Sequence, residues 1–182
     1  MAKYSITLNF FIPQEIVEKF KSIKIEGNID IDRRESNFCH CTVKAISHHH
    51  QIPTKEILKK YIIESEKILK KVKPFKVKVK NIGNFSTAVF AKVISKRLFK
   101  VHKDLFNILP SSQPHFENEA YIPHISLAKT ENNNTHVSWN KNEYFGDILV
   151  KEIQLLIFYI QVRVNKNVQL ATIYGVLLVR KK

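Results

Sequence analysis

The stretch Phe38-Cys39-His40-Cys41-Thr42-Val43-Lys44 is echoed later in the chain by Ile122-Pro123-His124-Ile125-Ser126-Leu127-Ala128. Both read as strands, because β-prone apolar residues alternate with polar ones. Strand side chains point to opposite faces in turn, so His40 and Thr42 share a face, with Cys41 and Val43 on the other. His124 and Ser126 likewise share a face opposite Ile125 and Leu127. Each strand therefore sets a His-x-(Ser/Thr) pair apart from an apolar, core-facing set, and the two histidines lie 84 residues apart. A groove between two similar lobes would receive both polar pairs. The expected fold class is α+β: two pseudo-symmetric lobes, with mostly antiparallel sheet, around a central cleft.

The flanking sequence fits this frame. Tyr4 to Ile12 is apolar and β-prone up to Pro13, where a helix to about Ile23 begins; Gly27 to Ser36 is polar and reads as a loop. The first motif strand is expected to run from Phe38 to Ile46. Thr54 is placed to cap a helix through about Val72, which carries apolar residues at helical spacing and ends before Pro74. From Phe75 the period changes to two, with Val77 and Val79 between Lys76, Lys78 and Lys80, the mark of a half-buried strand. Gly83 interrupts it, a strand resumes at Thr87 to Ile94, and a helix spans about Lys96 to Leu109. Pro114 to Ala120 reads as loop, Tyr121 to Lys129 as strand, and Asn132 to Asn134 as a polar turn. Ile148 to Val164 and Val168 to Val179 read as two long strands joined at Asn165 and Asn167. The order is β-α-β-α-β-β-α-β-β-β, which excludes an all-parallel dinucleotide-binding sheet; no Gly-rich phosphate loop is present. The whole chain, 1–182, is expected to form one bilobal domain.

The 182 residues include 30 Lys+Arg against 16 Asp+Glu, a net charge of +14, which narrows the partners to polyanions: RNA, DNA, nucleotides or anionic lipid. Only five of the basic residues are Arg (Arg33, Arg34, Arg97, Arg163, Arg180), which argues against reading of base edges in duplex DNA. Between Lys67 and Lys103 there are eleven Lys and one Arg with no Asp or Glu. Lys76, Lys78 and Lys80 form a ridge with charges about 7 Å apart, twice the strand rise. This ridge is either a solvated face or a track for an RNA backbone. Cys39 and Cys41 are too close along one strand for an ordinary disulfide, which suggests a reducing compartment. His48-His49-His50 reads as solvated loop, His102 and His115 as surface residues, and no metal is expected. No secretory or spanning segment is recognised, so the expectation is a cytoplasmic monomer without membrane attachment.

Two imidazoles and two hydroxyls on facing strands define a chemistry. Histidine titrates near neutrality, so one ring can take a proton from an attacking oxygen while the other, protonated, gives one to the leaving oxygen. Adjacent hydroxyls can donate to non-bridging phosphoryl oxygens. No acidic cluster for a divalent ion accompanies the pairs, which suits a phosphodiester whose neighbouring ribose hydroxyl or cyclic strain lowers the barrier.

Two strand-borne His-x-(Ser/Thr) motifs at this separation resemble the 2H phosphoesterase superfamily, which includes 2′-5′ RNA ligase-like proteins, cyclic nucleotide phosphodiesterases and enzymes degrading 2′-5′ oligoadenylates. The likeness extends to Pro123 before His124, the Gly83-x-Phe85 step after a basic strand, and the closing strands with Tyr159 and Tyr174. It departs in having serine at the second hydroxyl and Cys41 where a bulkier aliphatic is usual. The resemblance implies that His40, Thr42, His124 and Ser126 form the catalytic set, without cofactor. Lys44, Phe85, Tyr121 and Lys129 are the substrate-binding candidates: Phe85 and Tyr121 to stack a base, Lys129 as the basic residue beyond the second motif, although strict alternation turns it away from His124. The implied activity is opening of 2′,3′-cyclic phosphates or cleavage of 2′-5′ linkages, with RNA, an oligonucleotide or a cyclic nucleotide as the substrate; the alternatives are 2′-5′ RNA ligation, or a catalytically idle basic RNA-binding module.

Overall fold

A computed structural model describes residues 2–26, 29, 31–34, 39–85, 87–129, 136–138, 143–163 and 166–177, with the side chains of 2, 3, 136–138, 160–163 and 166–177 left aside. Expectations that fall on Gly27, Ser36, Phe38, Asn132 to Asn134, Asn165 and the end of the last strand lie outside the described residues, as does the side chain of Tyr174. Among the described residues no helix is long and apolar enough to cross a membrane.

The strands are β1 (Ala2–Phe11), β2 (Lys24–Glu26), β3 (Ile31–Asp32), β4 (His40–His49), β5 (Phe75–Phe85), β6 (Ala88–Ile94), β7 (His124–Lys129), β8 (His136–Ser138), β9 (Tyr144–Val150), β10 (Gln154–Arg163) and β11 (Lys166–Leu177). The helices are α1 (Gln14–Phe20), α2 (Lys55–Leu69) and α3 (Lys96–Phe106). Local chemistry fixes the helix starts: Pro13 precedes α1, while Thr54 and Ser95 accept the amide hydrogens of Ile57 and Leu98, satisfying donors that a helix leaves unpaired.

The main sheet is antiparallel in the order β11-β10-β1-β4-β7-β6-β5-β9, with β3 added to β7. The two motif strands, β4 and β7, occupy its centre. Each is flanked by three strands: β1, β10 and β11 on one side, β6, β5 and β9 on the other. The expected mixed fold of two antiparallel lobes is thus the observed one. One sheet face carries Ile6, Leu8, Cys41, Val43, Val77, Val79, Val89, Ala91, Ile125 and Leu127, all buried in the apolar core. Into this core α1 and α3 insert Ile16, Val17, Phe20, Leu98, Val101 and Leu105. Phe20 meets Phe145 of β9 edge-on at 5.1 Å.

Two differences from the sequence reading have physical causes. The long strand expected from Ile148 to Val164 is broken at 151–153, and its halves pair with different lobes, β9 with β5 and β10 with β1. The polar pair Lys151-Glu152 is the local signal for that break. His48 and His49 belong to the end of β4, opposite Ser5 and Tyr4, so the histidine run begins in a strand.

Candidate active site

Strands β4 and β7 meet at a single backbone pair, Cys41 with Ile125. These are the residues that follow the two motif histidines. Extending the antiparallel register by one residue each way sets His40 across from Ser126 and Thr42 across from His124. Alternation then turns His40, Thr42, His124 and Ser126 to the same face, around the one point where the two strands pair.

Beyond that pair the strands diverge, and the backbone groups of β4 that face the gap need other partners. Tyr121 donates its hydroxyl to Thr42 O at 2.7 Å, and His102 Nδ1 donates to Val43 O at 2.8 Å. Ala45 N donates to Glu117 Oε1 at 3.0 Å, and Lys44 Nζ donates to Ala45 O at 2.7 Å and to Glu117 Oε2 at 2.6 Å. At the opposite end of the Cys41–Ile125 pair, β3 and the amide of Arg33 take up the backbone of β7, Arg33 N donating to Leu127 O at 2.8 Å. His102 from α3, Glu117 between the 3-10 turns Pro114–Phe116 and Asn118–Ala120, and Tyr121 just after them therefore satisfy the strand edge where β7 has left it.

This arrangement reassigns several residues. Lys44, a substrate-binding candidate by sequence, is 1% exposed and ion-paired with Glu117. A bulge is responsible: Leu8 pairs with Lys44 and Asn9 with Thr42, so Val43 is the extra residue and Lys44 joins Leu8 on the core face. Strand β7 bulges at the equivalent place, Val89 pairing with Ala128 and Phe90 with Ser126, with Leu127 extra. That bulge returns Lys129 to the face of Ser126, where strict alternation would not have put it; Lys129 is exposed, and partial burial followed by the charge of Arg33 lowers its pKa. One face of the Tyr121 ring is covered by His102, with centroids 3.8 Å apart, and its hydroxyl is committed to Thr42 O. His102, expected at the surface, is fully buried. Its Nε2 accepts from Asn118 N at 2.9 Å, and burial lowers its pKa, so it is a neutral strut under the first motif. Its place on the buried face of α3 beside Leu98, Val101 and Leu105 was the sequence signal for it. His115 is exposed.

The two histidines have different surroundings. His124 Nδ1 donates to Ile122 O at 2.7 Å, so Nε2 carries the lone pair. Burial lowers the pKa of His124, which keeps the ring neutral. Phe85 and Phe90, stacked on each other at 4.1 Å, meet this ring edge-on at 5.1 and 5.3 Å. His40 instead stacks on Phe158 of β10 at 5.1 Å. The Thr42 hydroxyl donates to Asn9 Oδ1 at 2.9 Å, and Asn9 Nδ2 donates to Thr7 Oγ1 at 2.6 Å. Asn9 is fully buried, so this chain fixes the first hydroxyl; the sequence reading missed it because Asn9 becomes adjacent only through the β1–β4 register. Burial pushes the Cys41 thiol up to about 12 and the Cys39 thiol to about 11, too high for either to serve as a thiolate near neutrality. Among the described residues no three His, Cys, Asp or Glu side chains converge on a metal position.

The aromatic wall depends on Gly83, which faces Phe90 across β5 and β6. A Cβ there would lie 2.3 Å from Phe90 Cζ. Gly83→Ala is therefore expected to destabilise the protein by about 1–3 kcal/mol through overpacking, and to lower activity as Phe90 shifts against His124. An unchanged Tm would show that the wall yields without cost.

No protein-family model matches the sequence, and no curated protein matches it. Solved structures do match its fold. A phosphoesterase crystal structure superposes with a TM-score of 0.65 at 12% identity, covering 97% of this chain and 98% of that one. The protein TT0787 of Thermus thermophilus gives 0.62 at 15% identity, with 96% and 97% covered. E. coli LigT complexed with NADP+ gives 0.66 at 13% identity, with 98% and 99% covered; other structures of that protein hold phosphate, ATP or 3′-AMP. With the motif strands at its centre, the chain has the two-lobed fold of the 2H phosphoesterases.

Proposed function

We propose that this chain is a phosphodiesterase that acts without a metal ion on ribose 2′-linked phosphates, opening a 2′,3′-cyclic phosphate or cutting a 2′-5′ linkage in RNA or an oligonucleotide. The observation that carries this reading is the Cys41–Ile125 pair, which brings two imidazoles and two hydroxyls to one face of adjoining strands. His124 is the general base: its Nδ1 hydrogen is committed to Ile122 O, leaving Nε2 to accept a proton. Water attacks phosphorus as His124 Nε2 takes its proton. His40, protonated, gives a proton to the departing ribose oxygen, and the product is a phosphomonoester. The Ser126 hydroxyl, with no protein partner among the described residues, donates to a non-bridging oxygen, where charge accumulates. Thr42 supplies the second hydroxyl. Its own hydrogen is directed to Asn9 Oδ1, which fixes where that hydroxyl stands beside His124. Phe85 lines the base side of His124, and Lys129 supplies positive charge on the Ser126 face. Nucleotide and phosphate complexes of E. coli LigT support a ligand of this class.

The test is a panel of 2′,3′-cyclic nucleotides, 2′-5′ oligoadenylate, cyclic dinucleotides and RNA ending in a cyclic phosphate, incubated with excess chelator. Turnover of a 2′-linked phosphate that the chelator leaves unchanged is the expected result. Survival of the whole panel at high enzyme concentration would overturn the reading in favour of an RNA-binding module, and joined RNA ends would identify a ligase.

A further inference from the structure

Two sets of four lysines stand out once the acid-free segment from Lys67 to Lys103 is folded, while Lys71, Lys73, Lys96 and Arg97 lie on α3 and the turn after α2. On the helices and the turn after α2, Lys67, Lys70, Lys100 and Lys103 form ion pairs with Glu64, Glu66, Asp104 and Glu119. On the sheet, Lys76, Lys78, Lys80 and Lys92 form no ion pair among the described residues, although Asp147 of β9 stands opposite Lys78 by register. These four share the face of the catalytic candidates. Lys92 pairs with His124 across β6 and β7, and Lys80 pairs with Lys92 across β5 and β6. With neighbouring strands about 4.8 Å apart, Lys92 stands next to His124 and Lys80 about 10 Å from it. Lys78 and Lys76 continue down β5 at intervals of about 7 Å. Exposed large side chains stand across from three of these lysines: Tyr144 opposite Lys80 is 55% exposed, Ile94 opposite Lys78 44%, and Leu149 opposite Lys76 47%.

We propose that this face is a track for single-stranded RNA leading away from His124 through Lys92, Lys80, Lys78 and Lys76. The lysines hold successive backbone phosphates, and Tyr144 offers a ring on which a base can stack. Unpaired lysines with exposed aromatic and aliphatic groups across from them suit a strand whose bases are unstacked. Continuity with His124 is what favours a nucleic acid over an anionic membrane. The inference deepens the function proposed above and rests on it: the substrate is a strand, of which the scissile phosphate is one end, and not a mononucleotide alone.

The experiment measures fluorescence anisotropy of a labelled 12-nucleotide single-stranded RNA at several salt concentrations. In Lys76→Gln/Lys80→Gln/Lys92→Gln the affinity is expected to fall at least tenfold, and the slope of log K against log salt to shrink by about 2, from about 0.7 for each of three lost phosphate contacts. Tyr144→Ala should weaken binding several-fold with the slope unchanged. The control Lys55→Gln/Lys59→Gln/Lys60→Gln, which removes equal charge from exposed positions on α2, should bind as wild type. Wild-type affinity and slope in the first variant would overturn the proposal. So would an equal loss in the control, or a variant that loses only its binding to phosphatidylserine vesicles. Binding is read without turnover: a protein that binds RNA through these lysines yet hydrolyses nothing in the panel supports the track while overturning the phosphodiesterase reading.

Discussion

His124→Ala lowers kcat/KM by about 10²–10⁴-fold, the range that a positioned general base contributes. His40→Ala has an effect of similar size, since the leaving oxygen then departs without its proton. The two rings act on one transition state, so the double variant should be little worse than either single one. Both substitutions should leave the fold intact: each ring lies at the cleft and not within the apolar core. The pH dependence provides a second reading of the same assignment. A base works when unprotonated, and burial favours the neutral ring of His124. Activity should therefore persist as pH falls through about 6.5, the ordinary histidine value, and fail only in more acidic solution. In Phe85→Ala, which opens the ring to water, the acidic limb should move back toward 6.5. Full activity in either histidine variant, with the Tm unchanged, would sink the two-histidine mechanism.

The parts of this fold that were legible in the sequence are those governed by local periodicity. Alternation alone paired His40 with Thr42 and His124 with Ser126, and the repeat of that pattern implied two lobes around a cleft. Alternation fails at a bulge, whose position depends on the partner strand. Val43 and Leu127 are each the extra residue opposite β1 and β6, and nothing in their own identity announces this. The consequences run in opposite directions, burying Lys44 and bringing Lys129 round to the Ser126 face. Non-local partners were equally hidden, because Asn9, Glu117 and Lys92 reach the site through register and through the path of α3. His102 is a different case. Its helical spacing from Leu98, Val101 and Leu105 marked a buried position, but histidine composition weighed toward the surface.

The second large effect lies beneath the site. Glu117→Ala should destabilise the protein by about 3–5 kcal/mol, the cost of leaving one member of a buried ion pair unpartnered, and lower Tm by roughly 10 °C for a chain of this size. The side chains of Lys44 and Glu117 are 0% and 5% exposed, with 2.6 Å between Nζ and Oε2. Glu117 also accepts from Ala45 N and Ser111 Oγ, so its loss strips the partner of a β4 amide on the edge away from β1, where no strand pairs with it. The reverse deletion, Lys44→Met, should cost less, because the carboxylate keeps those two donors and the methionine refills the space against Phe106, over whose ring Lys44 Nζ lies at 5.6 Å. Adding Lys44→Met to Glu117→Ala should then recover much of the loss, since the uncompensated ammonium goes with it. Alkali should help Glu117→Ala in the same way. Burial already lowers the pKa of Lys44, and without its carboxylate the folded protein prefers the neutral amine more strongly. Between the folded pKa and about 10.4 the unfolded chain then binds more protons than the folded one, so the variant gains stability as pH rises. Chemical denaturation of the four proteins at pH 7 and pH 9.5 checks both statements. A loss below 1 kcal/mol in Glu117→Ala, or a deficit that widens in alkali, would mean that water reaches Lys44 and that the strand edge at Ala45 is held by something other than this pair.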